Sequence, residues 1–230
     1  MEDNSGCREN RDRWTGLSVL VSALAIIATI WIANRGWQQA AVEDTKITQE
    51  KEKIDFVSNQ IQHLYGPLYG YTVASTATWK KFHDKYGPEV PFSAVPTSVR
   101  NQQTILNREQ IWIKWMTTVF MPLNDSMEKT ILNNANLIDG NEMPQVFVDF
   151  LIHVETYKPV IAAWERHDRT LMTSTINYPH GLNQYVCETF IRLKAKQASM
   201  LGLPDVSPTP HCNDYGIAVT STNQESQKRE

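Results

Sequence analysis

The amino-acid sequence predicts an all-α protein: an N-terminal transmembrane helix followed by a kinked multi-helix bundle. Three observations predict it. Residues 14–34 carry no charge and are closed by Arg13 and Arg35. Beyond them, apolar residues recur at the three- and four-residue spacing of helices that bury one face. Few runs alternate with a period of two, so strands are not expected.

A helix rising about 1.5 Å per residue over about 20 residues spans the roughly 30 Å hydrocarbon core of a bilayer. It also satisfies its own backbone polar groups where no water is present. Trp14, Trp31 and Trp37 stand near the two ends of the run, where an indole keeps its ring in the acyl region and its N–H near the headgroups. A cleaved secretory signal would need a small-residue site, and Ala33-Asn34-Arg35-Gly36-Trp37 offers none. Residues 14–34 are therefore expected to bind the lipid bilayer as a single-pass anchor. Residues 1–13 read as a polar, unstructured tail of mixed charge.

Residues 35–63 read as a juxtamembrane amphipathic helix or stalk. Ala40, Ile47, Ile54 and Ile61 recur every seven residues, with Val57 and Leu64 three places after the last two. Glu43 and Glu50 occupy the earlier positions of that second register, so the heptad seam is incomplete. It fits a helix lying on its own domain or a parallel coiled coil of two copies.

The helical domain is expected over 64–202. Gly66 and Pro67 interrupt the first helix, which resumes with Tyr71, Ala74, Ala77 or Thr78, and Phe82 inward until Gly87 and Pro88 stop it. Pro88, Pro91 and Pro96 mark a loop. A helix over 98–120 ends at Pro122, and another runs over 123–137 to Asp139-Gly140. Asn141 is placed to cap a helix over 146–168 that Pro159 kinks. A loop over 169–180 leads to a last helix over 180–201, stopped by Gly202. The Ser/Thr/Asn/Gln-rich residues 203–230 read as a disordered tail.

The segments Leu64-Tyr65-Gly66-Pro67-Leu68, Val119-Phe120-Met121-Pro122-Leu123-Asn124, Glu142-Met143-Pro144 and Ile176-Asn177-Tyr178-Pro179, with Trp115, His153 through Tyr157-Lys158, Trp164-Glu165 and Leu193-Lys194, carry a resemblance. In this order they are similar to an uncharacterised family of small bacterial single-pass membrane-anchored helical proteins. The resemblance covers about 140 residues. It implies one N-terminal span followed by a helical domain and carries over no catalytic residue, cofactor or partner.

Composition narrows the function. A net charge of −3 provides no field for nucleic acid. Cys7, Cys187 and Cys212 lie far apart and are odd in number, so no disulfide framework or metal knuckle is expected, and Cys187 reads as a small buried hydrophobe. Basic residues flank the anchor almost evenly. Together with the cysteines they favour a cell-membrane protein whose soluble domain is cytoplasmic. The triplet Asn124-Asp125-Ser126 matches a glycosylation acceptor by pattern.

No nucleophile elbow, zinc-helix, C-x-x-C or phosphate-loop pattern occurs. The densest titratable set is Asp149, His153, Glu155, Glu165, His167 and Asp168. Within it Asp149 and His153, four apart, share a helix face. They read as a solvated carboxylate–imidazole pair, with a metal or acid–base site as the sharper alternative. Tyr65, Tyr69, Trp112 and Trp115 are candidates for partner binding, since aromatics that are not core are enriched at binding hot spots. The expectation is thus a non-enzymatic interaction or scaffold module without cofactor, binding another protein or itself. The alternatives are a small-ligand sensor, with Pro67 and Pro159 as hinges, or a metal-dependent enzyme on the Asp149/His153 face.

Overall fold

A computed structural model describes residues 6–87, 102–204, 211–212 and 218–219; within these, side chains are described for 25–38, 42–87, 107–204 and 212. The chain divides into two compact units, Met1–Lys53 and Ile54–Glu230. Among the described residues the regular structure is helical, apart from one short pair of strands.

The first unit is helix α1, Gly6–Asn59, whose last turns belong to the second unit. Residues 6–13, read from sequence as an unstructured tail, are part of this helix; each residue added to an existing helix gains a hydrogen bond without a new nucleation step. Of the uncharged run, side chains are described from Ala25 onward, and among the described residues no helix is long and apolar enough to cross a membrane. Ile26, Ile27, Ile30, Trp31 and Ile32 are all more than half exposed. Arg35 lies over the Trp31 ring at 4.0 Å.

The heptad positions split between the units. Ile47 is 59% exposed, whereas Val57 and Leu64 are buried in the core of the second unit. That core is formed by α2 (Gly66–Tyr86), α3 (Gln102–Trp115), α4 (Met121–Asn133), α5 (Gln145–Glu165) and α6 (Leu182–Met200). Lys158 on α5 joins Glu128 on α4 at 3.2 Å and Glu155 at 2.6 Å.

Neither Pro67 nor Pro122 breaks its helix. Each is preceded by a widened π turn, Gln60–Tyr65 and Met116–Phe120, and the chain passes directly into α2 and α4. Proline lacks the N–H and its ring crowds the carbonyl four residues back; an i→i+5 turn just ahead relieves both and lets the proline sit in the first turn of the next segment. In the first turn Gly66 N–H donates to Ile61 O. A Cβ at Gly66 would collide with that backbone oxygen, so the turn admits only glycine there.

Several local expectations change. The buried face of α2 is Leu68, Thr72 and Phe82, while Ala74 and Ala77 are exposed: small alanines carry too little apolar surface to mark the inward face. The helix expected over 123–137 ends at Asn133 and closes with a 3₁₀ turn, Ala135–Leu137. Asn141 does not cap α5: Pro144 occupies the cap, its carbonyl accepting from Phe147 and Val148 N–H. That helix stops at Glu165, with His167 at φ 63 and Asp168 N–H reaching back to Ala163 O. Pro159 lies inside α5, as expected.

The cysteine expectation is corrected. Cys187, fully buried on α6, forms a disulfide with Cys212. Cys212 lies on strand β1 (His211–Cys212), which pairs antiparallel with β2 (Ala218–Val219). Spacing in sequence could not reveal the bridge, because its two cysteines stand 25 residues apart with no motif linking them. Of the loop expected over 86–97, Tyr86 still belongs to α2 and residues 88–97 lie outside what is described, as do the remainder of the 203–230 tail and Cys7's side chain.

Gly66→Ala should destabilise the second unit by about 1–3 kcal/mol, as overpacking against fixed backbone does. Thermal denaturation of the full chain in detergent checks this, with a fall in Tm expected and none for the open position Gly70→Ala.

Candidate ligand cavity

A cavity of about 870 Å³ opens in the second unit. Five parts of the chain contribute. From α2 come Ser75, Thr76 and Trp79; from α3 and its continuation come Trp112, Met116, Phe120 and Asn124. His153 and Tyr157 project from α5. The loop 166–181 supplies a wall that includes Ser174, Ile176 and Tyr178, and the first turn of α6 adds Asn183 and Gln184.

The four positions 112, 116, 120 and 124 are spaced by four. In a straight α-helix, four residues overshoot a full turn by about 40°, so three steps would carry Asn124 about 120° away from Trp112. The π turn at Met116–Phe120 holds more residues per turn and takes the drift back. All four side chains then face one space.

The loop exceeds the roughly 12–15 residues beyond which chain without secondary structure becomes uncommon. It is held by three ring nitrogens. Trp112 Nε1 donates to Met172 O at 2.8 Å and Trp164 Nε1 to Leu171 O at 2.7 Å. His153 Nδ1 lies 2.7 Å from Ile176 O. A carbonyl can only accept, so Nδ1 carries the proton, and in the neutral ring Nε2 is a bare acceptor. Arg169 Nη1 closes the loop's start on Trp164 O, and Thr156 Oγ1 meets Ser174 Oγ at 2.6 Å. At its other end Tyr178 OH donates to Asn183 Oδ1, whose amide donates to Thr76 Oγ1.

His153 is therefore not on a solvated face. It is 6% exposed and packs edge-to-face with Tyr157 and Tyr178. The apolar stripe of α5 is wider than its hydrophobic residues alone suggest, and the imidazole belongs to it. Burial lowers its pKa below the ordinary 6.5, with the bond to Ile176 opposing. Burial likewise raises the phenols of Tyr157 and Tyr178.

Asp149 takes no part. Its Oδ1 accepts from Gln145 Nε2 at 2.8 Å, and no hydrogen bond or ion pair links it to His153 among the described residues. Glu155 pairs with Lys158, whose ammonium holds its carboxyl below the usual range. Asp168 accepts from Thr170 N–H and Oγ1, which lowers its pKa too. Among the described residues no three His, Cys, Asp or Glu side chains come close enough to hold a metal ion.

The four aromatic candidates divide. Trp112 and Tyr65 are 2% exposed. Tyr69 stacks on Phe190, and Trp115 packs against Phe82. Only Trp112 lines the cavity. Sequence reasoning missed Asn124, which is 5% exposed and has no hydrogen-bond partner among the described residues although it faces the cavity. Its burial also removes the 124–126 triplet as a glycosylation acceptor in the folded chain. The one available signal was the four-residue spacing from Trp112.

No family model, curated protein or solved structure matches the chain.

An unfolded chain binds a proton at residue 153 near pH 6.5, the folded one only at lower pH. Between those values the unfolded state holds more protons, so this contribution to stability is full above about 6.5 and is lost as pH falls. His153→Gln should lower stability at pH 7.5 by about 1–2 kcal/mol through its lost bond. It should also flatten the decline between pH 7 and 5, as denaturant melts at a series of pH values will read.

Proposed function

We propose that this chain is a membrane-anchored binding module whose cavity takes a small organic ligand, with no covalent chemistry of its own. The observation that carries the reading is the cavity: its volume falls within the roughly 300–1,000 Å³ of small-molecule sites, and aromatic walls surround a few convergent polar groups. A binding role is favoured over catalysis by how the polar groups are committed. The His153 N–H is spent on a backbone carbonyl instead of a carboxylate, and no Ser, Thr or Tyr hydroxyl is bonded to its ring among the described residues.

The anchor rests on the charge-free run 14–34 between Arg13 and Arg35, on the exposed isoleucines of α1, and on the motif resemblance to single-pass helical proteins. The disulfide bears on orientation. Such bridges persist in oxidising compartments, so Cys187–Cys212 favours a domain outside the cytoplasm, the reverse of the reading from flanking charges. A second reading, self-association through α1, is favoured by Ile47, an exposed position of the heptad seam.

Two experiments test these readings. A diverse library screened by thermal shift against the detergent-solubilised full chain should yield compounds that raise Tm, by about 2.7 kcal/mol of added stability at a hundredfold excess over Kd. No stabilising compound would sink the ligand reading. In isolated membranes, thiol labelling before and after reduction should reveal Cys187 and Cys212 only after reductant; labelling of both without it would return the domain to a reducing compartment.

A further inference from the structure

The polar groups left over in the cavity define what it would take. Two side chains that are more than nine-tenths buried face it with unused hydrogen-bonding capacity: Asn124, 5% exposed and without a partner among the described residues, and His153, 6% exposed, with Nε2 bare once Nδ1 is spent on Ile176 O. Neither the Asn124 amide nor His153 Nε2 is sealed off from the cavity, so each is open to pair with whatever occupies it. Part of the neighbouring capacity is consumed: Trp112 Nε1 points to Met172 O, Ser174 Oγ to Thr156, and Tyr178 OH to Asn183, while the remaining polar lining residues Ser75, Thr173, Asn177 and His180 are less buried than Asn124 and His153.

Among the described lining residues there is no Asp, Glu, Lys or Arg. An anion would find no Lys or Arg among them, burial disfavours the charged form of His153, and the other imidazole on the lining, His180, lies at the exposed rim. A cation would find no carboxylate. Either charge would have to give up water without a counter-ion. The walls are ring surfaces, Trp79, Phe120, Tyr157 and Tyr178, which favour a flat partner lying against their faces and edges.

We propose that the cavity binds an uncharged, flat heterocycle that donates a hydrogen bond to His153 Nε2 and pairs with the Asn124 amide. This rests on the ligand-binding reading above and specifies it. The His153 ring acts as acceptor and the Asn124 amide as donor or acceptor, so the ligand presents a ring N–H or hydroxyl beside a second polar atom.

The test uses one ring with three charges. Tryptophol, indole-3-acetate and tryptamine are titrated calorimetrically into the solubilised full chain, with methyl glucoside as a neutral ring that is not flat. Tryptophol should bind, and each of the others at least about tenfold more weakly, the equivalent of one lost buried interaction. Asn124→Leu and His153→Gln should each weaken tryptophol about fivefold or more. Asn124→Asp, of the same size, should shift preference toward tryptamine and guards against a folding defect in the leucine variant; a melting curve accompanies each.

If a charged indole or the glucoside binds as tightly as tryptophol and Asn124→Leu abolishes it, the cavity is a ligand site and the inference about ligand class is wrong. Tryptophol binding that neither variant weakens would also overturn the inference. So would no binding by any of the four. The ligand-binding reading itself fails only if the diverse library is silent as well.

Discussion

Trp112, Trp164 and His153 each give a ring N–H to a backbone carbonyl of the loop between α5 and α6, at Met172, Leu171 and Ile176. Loop carbonyls are strong acceptors that must be satisfied, and here buried rings do it without hydroxyls or charges. The rings come from α3 and α5, so the same bonds that order the loop also fix its distance from the helices. The space left between loop and helices is the cavity. Its existence depends on those three bonds more than on any single apolar contact.

The π turns do a related task inside the helices. Each lies just before a proline, and each sets which side chains face inward afterwards. Gln60–Tyr65 places Leu64, Tyr65 and Leu68 in the core, and Gln60 itself donates to Leu137 O and Asp139 Oδ1. Met116–Phe120 keeps Trp112 and Asn124 on the same side of one continuous helical path. Wide turns that cost some hydrogen-bond quality are often found at functional positions, and the second of these lies directly on the cavity wall.

Much of the helical architecture was legible in the sequence, because three- and four-residue spacing marks a buried helix face and glycine marks its stop, as at Gly87 and Gly202. The two prolines were legible as disturbances, Pro67 as an interruption with the helix resuming after it and Pro122 as a break, since sequence carries no sign that a π turn will absorb them. His153 was placed on a solvated face because an imidazole counts as polar in a periodicity, although with one bond to a carbonyl it packs like an aromatic. Asn124 looked like part of a surface triplet; it lines a cavity whose opposite wall is the loop, which has no periodicity to read. The Cys187–Cys212 bridge was hidden for the same reason, residue 212 being brought to α6 by chain with no helical pattern. The proposed anchor rests on the uncharged run in the sequence alone: the side chains of its first half lie outside the described residues, and among the described ones no helix is long and apolar enough to cross a membrane.

Indole N–H exchange, followed by NMR on the full chain with each tryptophan assigned by Trp→Phe substitution, tests the three-nitrogen tether most directly. Slow exchange at the Trp112 and Trp164 indoles, and fast exchange at the 39% exposed Trp79, is the result expected of a loop held by ring nitrogens. Trp112 and Trp164 indoles exchanging as fast as Trp79 would mean that the loop is not held this way, and that the cavity it walls is not a standing feature of the protein.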